Sequence, residues 1–481
     1  MANKYVVPGV YSESQPIPAL SIVETANQCV SAIVGTALRG APNTPIKVNS
    51  WSQFCKEFAR GYESPYFEGS YLAHCVYNYF QNSGSTLYVI RAIGASASKA
   101  SAKSENITFT AVDEGAWGNK ISIRVTQNTD SYVIKVVSTL SGLEDIVEVF
   151  PNVSSKTSDS NFFANVINSN SKYIRVTLTS TADSYTMPSS EEDLILSGGV
   201  DDNSITAQKL SEALNKGLYE LDVNVVGHTF DGDEYNNALS LYLKEHPEVL
   251  GCACLPSTVT SDTLATSLEK CAGRISVCHP WVSCTNPLSS SLADIEIPNV
   301  GAVMGAVSRV VSESGIWKAP AGVNVTLKGV NSVKYLSQTE LEELYNQNIN
   351  CLVAKNNYGI VLWGARTQST DENFKYVNSV LLDTFIRRSL LSITEFAVFE
   401  PNNEYLWLRV DTAVRGFLND LWKKGGLAGS TAEEAYTVVC DSTVNTEDVI
   451  AEGIMRCNVG YAKDIPAEFV VLSFSQRVDN N

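Results

Sequence analysis

Residues 207–227 read AQKLSEALNKGLYELDVNVVG. A helix over 207–216 runs into a strand, and the same unit recurs twice downstream. A helix over 233–246 precedes LGCACLP at 250–256, and TLATSLEKC at 263–271 precedes RISVCHP at 274–280. Helix–strand alternation at this spacing predicts a parallel α/β layer.

Working upstream, CVSAIVGTA at 29–37 has the character of a buried strand and leads into the turn-rich RGAPNTP. Ser50 opens a helix, with Gln53 at the capping-box position. In SYLAHCVYNYF, residues Leu72, Cys75, Val76, Tyr79 and Phe80 make one apolar helix face, and TLYVIRAI at 86–93 is a strand. The character then changes. ASASKASAKS at 95–104 has no large apolar residue and reads as a linker. From NITFTAV at 106 through KISIRVTQ, SYVIKVVS, DIVEVF and YIRVTLTS, period-two alternation broken by turn residues predicts an all-β module that ends near 188–193.

Downstream lie GAVMGAVSRV, the loop GIWKAPAG, the strand GIVLWGAR and two long helices. In the second helix, Leu406, Val410, Ala413, Val414, Phe417, Leu418 and Leu421 form an apolar stripe that Gly425-Gly426 ends. YTVVCD at 436–441 and GIMRCNV at 453–459 are strands long enough to pair. Both ends of the chain carry extended apolar stretches broken by proline: KYVVPGVYSES at 4–14, tethered by 15–22, and AEFVVLSFS from Ala467. A lone strand leaves backbone groups unpaired, and addition to another sheet edge satisfies them. Pro8 has no N–H, so the first arm bulges or sits at an edge there.

With 481 residues, 44% of them hydrophobic, the chain has material for two to four domains. A net charge of −17 disfavours binding to phosphate backbones. The eleven cysteines are scattered without a CxxC and sit mostly in apolar runs, as reduced, buried thiols do. Cys252, Cys254, Cys271, Cys278, His279 and Cys284 share one region, but no second ligand pair stands at zinc spacing, so no metal and no cofactor is expected. There is no signal-peptide pattern, and no run reaches the roughly 20 apolar residues of a membrane span.

No catalytic arrangement stands out. GxSxG, the P-loop, a GxGxxG after a strand and HExxH are all missing. Of the four histidines, His74 reads as a helix-packing residue, while His228 and His279 end strands near Asp231 and Ser283. An α/β hydrolase would have to place one of these two beside a serine and an aspartate. The expectation is therefore a non-enzyme. A self-pairing capsid or pilus-type subunit would share the arms.

The order of the motifs resembles the contractile tail sheath proteins of phages, R-type bacteriocins and related injection systems. The resemblance is carried by PGVY at 8–11, SAIVGTALRGAPNTPIKVNSWSQF at 31–54, YFQNSGSTLYVIRA at 79–92 and EGAWGNKISIRV at 114–125. It continues with GIWKAPAG at 315–322, NQNINCLV at 346–353, GIVLWGARTQS at 359–369, LWKKGGLAG at 421–429, and the long block from Glu433 to Val471.

The resemblance implies an α+β multidomain chain. Its parts are an N-terminal arm (1–22), the first part of an α/β core (23–99), an inserted β-rich, sandwich-like domain (100–195), an α/β domain of subtilisin-like topology without protease activity (196–368), an α+β C-terminal domain (369–465) and a C-terminal arm (466–481). It also implies a homo-oligomer of stacked hexameric rings around a tail tube protein, with baseplate and tail-terminator proteins as further partners. Assembly would take place in the host cytoplasm, and the product would be a virion tail or an extracellular particle. No direct contact with nucleic acid and no insertion into a membrane is implied. Tyr5, Val6, Val7, Val10 and Tyr11, with Phe469, Val470, Val471, Leu472 and Phe474, would donate strands to neighbouring subunits. Val438, Val439, Ile454 and Val459 would belong to the accepting sheet. Arg387, Arg388, Lys423 and Lys424 would contact the tube or a neighbour, although lysines at a helix C-terminus are also favourably placed against its dipole.

Overall fold

The computed structural model describes residues 27–188 and 192–468. It forms two compact units. Among the described residues, the larger draws on 28–314 and 318–381, and the smaller on Asn27, Gly315–Trp317 and 382–468. The strand-donating residues of both arms, Tyr5 to Tyr11 and Phe469 to Phe474, lie outside the described residues.

The larger unit is organised by an eight-stranded sheet in the order Gly359–Trp363, Asn350–Lys355, Ile275–His279, Leu250–Cys254, Val225–His228, Val30–Gly35, Thr86–Arg91, Pro45–Val48. Neighbours from Asn350–Lys355 to Thr86–Arg91 run parallel, and the strand at each edge is antiparallel. A parallel sheet covered on both faces calls for strands that are apolar throughout. Val225–His228 and Leu250–Cys254 are accordingly buried at every position. Of LDVNVVG, only the last residues and His228 enter the sheet.

Successive strand residues point to opposite faces. On the side of Val226, the helices Ala207–Gly217 and Asp233–Glu245 bury Leu210, Leu214, Leu239 and Leu243 with Ile90, Ala253 and Val277. On the side of Gly227, a Cβ would strike Val300 and Met304 of the helix Val300–Ser314, which is buried from Val300 through Val311. That helix lies against Leu72–Gln81 at the distance only glycine permits. A Cβ at Gly301 would overlap the Cys75 carbonyl, and one at Gly305 the Tyr79 carbonyl. The expected cap of Trp51–Phe58 forms with a shift. Ser50 accepts from the Gln53 N–H at 3.2 Å, but the Gln53 side chain returns to the N–H of Asn49, at 3.0 Å.

Between Thr86–Arg91 and Ala207–Gly217 the chain builds a β-rich module. One sheet pairs Leu194–Ile195, Ile121–Gln127, Tyr132–Ser138 and Asp145–Val153, and the other pairs Ser101–Ser104, Ile107–Ala111 and Ile174–Leu178. Trp117, Phe109, Ile123, Ile134, Phe163 and Ile174 share its core. Two sequence expectations need correction here. The module is not all-β, because Phe163–Asn170 is a helix that buries Phe163, Ala164 and Ile167. The polar run 95–104 is not a free linker. The Gly94 N–H bonds the Asp202 carbonyl at 2.8 Å, Ser98 bridges Val200, Ser101 bridges Ser197, and Ser101–Ser104 forms a hairpin with Ile107–Ala111. Backbone pairing and burial of the small side chains Ala100 and Ala102 hold this stretch, so its lack of large apolar residues hid it.

In the smaller unit, Asn403 caps Glu404–Lys423 by accepting from the Leu406 N–H at 3.1 Å. The expected stripe is buried at Leu406, Val410, Val414, Phe417, Leu418 and Leu421. Gly425, at φ +81°, ends the helix, with N–H bonds from Gly425 to Trp422 (2.8 Å) and from Gly426 to Leu421 (2.9 Å). The helix Val377–Thr394 begins in the larger unit and ends in this one.

Candidate strand-accepting sheet

Tyr436–Val439 and Asn458–Tyr461 form an antiparallel pair, with Val438 opposite Val459 and Tyr436 opposite Tyr461. The second strand lies later than GIMRCNV predicts, so Ile454 is not part of the sheet. The short helix Glu447–Ala451 ends there instead, with Gly453 at φ +74° and the Ile454 N–H bonded to the Val449 carbonyl at 3.1 Å. That closure turns Ile454 away from the ladder, and its side chain is exposed.

Antiparallel partners exchange backbone bonds at alternate positions. The Ala462 N–H donates to the Ala435 carbonyl at 2.8 Å, one step beyond Tyr436 and Tyr461. Bonded pairs therefore fall at 437/460 and 439/458, and the peptide groups of Val438 and Val459 face outward. Outside the 436–439 strand, the Val438 carbonyl accepts from the Arg415 guanidinium, which is itself held by Asp411 at 2.7 Å. Among the described residues, no third strand pairs with either edge.

One face of the pair is anchored. Val438 is buried, while Val439 on the other face is exposed. The Tyr461 hydroxyl donates to Asp383 at 2.6 Å, and the same carboxylate accepts from Arg387 Nε at 2.8 Å. Arg387 thus has an internal role in holding Asp383, and that bond raises its own pKa. Arg388 follows it on the helix, Lys423 stands in the last turn of Glu404–Lys423, and Lys424 is its C-cap, where the helix dipole favours cations.

Among the described residues, no Ser–His–Asp triad forms around the histidines. His228 is buried; its Nε2 meets Asn236 Oδ1 at 3.1 Å and its Nδ1 accepts from the Phe230 N–H at 3.3 Å. His74 packs on Tyr66, with ring centroids 4.6 Å apart. Burial pushes His74, His228 and His279 each down to about 4. The unfolded chain, with ordinary imidazoles near 6.5, then binds more protons than the fold between pH 6.5 and 4. Stability should therefore be full above pH 6.5 and fall as pH drops through that window. The loss should be on the order of 2 kcal/mol per imidazole by pH 5. Urea midpoints measured from pH 7 to 4.5 check this, and His228→Gln should remove about a third of the slope. An unchanged slope would refute it.

Nine of the eleven cysteines are buried and all are free. Among the described residues, no three His, Cys, Asp or Glu side chains come together as a metal site would need. No helix among them is long and apolar enough to cross a membrane.

The quoted motifs converge on one another in the structure. Arg39 of SAIVGTALRGAPNTPIKVNSWSQF lies over Trp117 of EGAWGNKISIRV, 3.7 Å from the ring centroid, and over Tyr173 at 4.6 Å. It donates to the carbonyls of Arg60 (2.9 Å) and Lys172 (3.2 Å). Arg91, also buried, donates to Ala37 (2.8 Å), Gly40 (3.0 Å) and Glu114 (2.9 Å). Asn350 of NQNINCLV exchanges bonds with the Arg366 backbone at 2.8 and 2.7 Å, and so joins GIVLWGARTQS. These motif residues tie separate segments of the fold to one another. Lone arginines in apolar runs were the signal sequence reading passed over.

No family model matches the chain. Over 182 residues, 37% of its length, it is 28% identical to the tail sheath protein of Salmonella phage ViI, and the aligned part spans only 28% of that relative. Its fold extends much further. A sheath complex of an extracellular contractile injection system, PVC, in the contracted state superposes with a TM-score of 0.60 at 22% identity, covering 99% of both chains. A sheath tail protein from Listeria innocua gives a TM-score of 0.63 at 16% identity, covering 93% of this chain and 99% of its own. All three are sheath proteins. In local sequence, and in fold over nearly its whole length, the chain is similar to the sheath proteins of contractile tails.

Proposed function

We propose that the chain is the sheath subunit of a contractile particle, which polymerises as stacked hexameric rings around a tail tube and contracts to drive the tube through a cell envelope. The observation that carries this reading is the coverage of nearly the whole chain by solved sheath subunits. The short sheet at 436–439 and 458–461 fits the role of acceptor. A two-stranded sheet is marginal alone, and added strands stabilise it. Arms from other copies, 4–14 and 467 onward, are the proposed donors. The eight-residue tether 15–22 spans up to about 28 Å when fully extended, which lets the donor strand reach beyond its own subunit. Head-to-tail donation does not close on itself and yields an open helical array. The middle α/β layer would correspond to the subtilisin-like domain and 100–195 to the inserted domain. Tube, baseplate and terminator proteins would be the partners. Contraction would be driven by the more favourable packing of subunit against subunit in the wider lattice.

Deletion of residues 1–14, or of the tail from Ala467, should leave a folded subunit that no longer forms tubes in electron micrographs. Normal tubes from either variant would overturn the role of the arms. A headless particle is the second reading, supported by neighbours from the anti-feeding prophage and PVC systems alongside the phage relative. Negative-stain images of the native particle distinguish the two by the presence or absence of a head.

A further inference from the structure

Cys440 and Cys457 stand just outside the two-stranded sheet, at the end where residues 441–456 connect its strands. The register pairs Val439 with Asn458, so the next opposed positions are 440 and 457. By the alternation set at Ala435 and Ala462, this is a position without backbone exchange, where opposed side chains come closest. Both side chains fall on the face of Tyr436 and Val438, and Asp411 of the helix Glu404–Lys423 acts on both. Cys440 is buried and Cys457 half-buried.

We propose that Cys440 and Cys457 are a modification site: under a low-molecular-weight disulfide they form an intramolecular cross-strand disulfide that clips the base of the loop joining the two strands. The reaction is two exchanges. The Cys457 thiolate, the more accessible, attacks one sulfur of the reagent and expels its other half as a thiolate. The Cys440 thiolate then attacks the Cys457 sulfur of the mixed disulfide, forms the Sγ–Sγ bond and expels the second half. Two cysteine thiols are oxidised and the reagent is reduced to two thiols. The two protons released by the cysteines go to the two leaving thiolates.

The surroundings set the rate. Burial pushes Cys457 up to about 12, with Asp411 adding to the rise and Arg415 opposing it; burial also raises Cys440, with Asp411 and Asp441 adding to it. Little thiolate is present at neutral pH, so closure is slow there and quickens about tenfold per pH unit between 7 and 10. Once formed, the bond closes the loop 441–456 and restricts the unfolded chain.

The test uses the full chain, with oxidised glutathione as reagent. Non-reducing peptide mapping should recover one linked pair, Cys440 to Cys457. The melting temperature should rise by several degrees, and Cys440→Ser/Cys457→Ser should abolish that rise. Cys440→Ser should halt at a single glutathione on Cys457. Alkylatable thiols at both positions after treatment, a link from either to another cysteine, or a Cys440→Ser chain carrying no adduct at Cys457 would each overturn the proposal. An unchanged far-ultraviolet dichroism spectrum in both variants establishes that the fold is intact.

Discussion

Replacing Gly301 by valine is expected to unfold the larger unit under conditions where the wild-type chain is fully folded. A Cβ at this position would overlap the Cys75 carbonyl and the neighbouring main chain of Leu72–Gln81. Backbone within a helix cannot swing aside as a side chain end can. Separating the two helices instead opens voids beside Val300, Met304 and Tyr79, all fully or almost fully buried. Overpacking of this kind costs about 3 kcal/mol or more for valine, and about 2 kcal/mol for alanine. Against a typical domain stability of about 5–15 kcal/mol, the valine loss removes roughly a fifth to three fifths, so the variant unfolds at urea concentrations the wild type withstands. Urea unfolding followed by fluorescence measures it. Gly416→Ala is the control, since no atom lies within 4 Å of a Cβ there. It should be neutral or stabilising by up to about 1 kcal/mol. A wild-type midpoint for Gly301→Val would refute the close approach.

Arg39→Ala should cost about 3 kcal/mol. Burial has already brought the guanidinium down to about 10, so it remains charged at neutral pH while surrounded by protein. Its removal leaves the Arg60 and Lys172 carbonyls without their donor and uncovers the faces of Trp117 and Tyr173. It also takes away a cation that acts on the buried Asp113. Arg39→Lys keeps the charge but loses the planar fork, and should recover only part of the loss. The damage should localise, with limited proteolysis cutting first within 95–200. A loss below about 0.5 kcal/mol for Arg39→Ala would show the seam to be unimportant.

The parallel sheet was legible because its strands are apolar along their whole length, as in CVSAIVG, LGCACLP and RISVCHP, and alternate with helices. The Glu404–Lys423 helix was legible because stripe, cap and glycine stop agree. The strand at Ser101–Ser104 was not, since backbone pairing, a turn at Glu105 (φ +48°) and burial of only the small Ala102 define it. The helix Phe163–Asn170 was hidden by its asparagine content, and it is fixed by tertiary burial of Phe163 and Ile167. At the candidate site, Val438, Val439 and Val459 lie in the sheet, whereas Ile454 was lost to the helix stop at Gly453. The Cys440–Cys457 pairing was invisible because residues 441–456 separate the two, and only strand register brings them together.

The stem formed by Gly94 with Asp202, Ser98 with Val200 and Ser101 with Ser197 makes the β-rich module an exchangeable cassette. Its two ends leave the α/β body side by side, so any change of length inside it closes on the same footprint. The strand Thr86–Arg91 and the helix Ala207–Gly217 keep their separation whether the intervening chain grows or shrinks, and loop closure grows only slowly more costly with length. Surface features carried by the module can therefore diversify without renegotiating the register of the parallel sheet, provided residues at its base continue to receive Arg39 and Arg91.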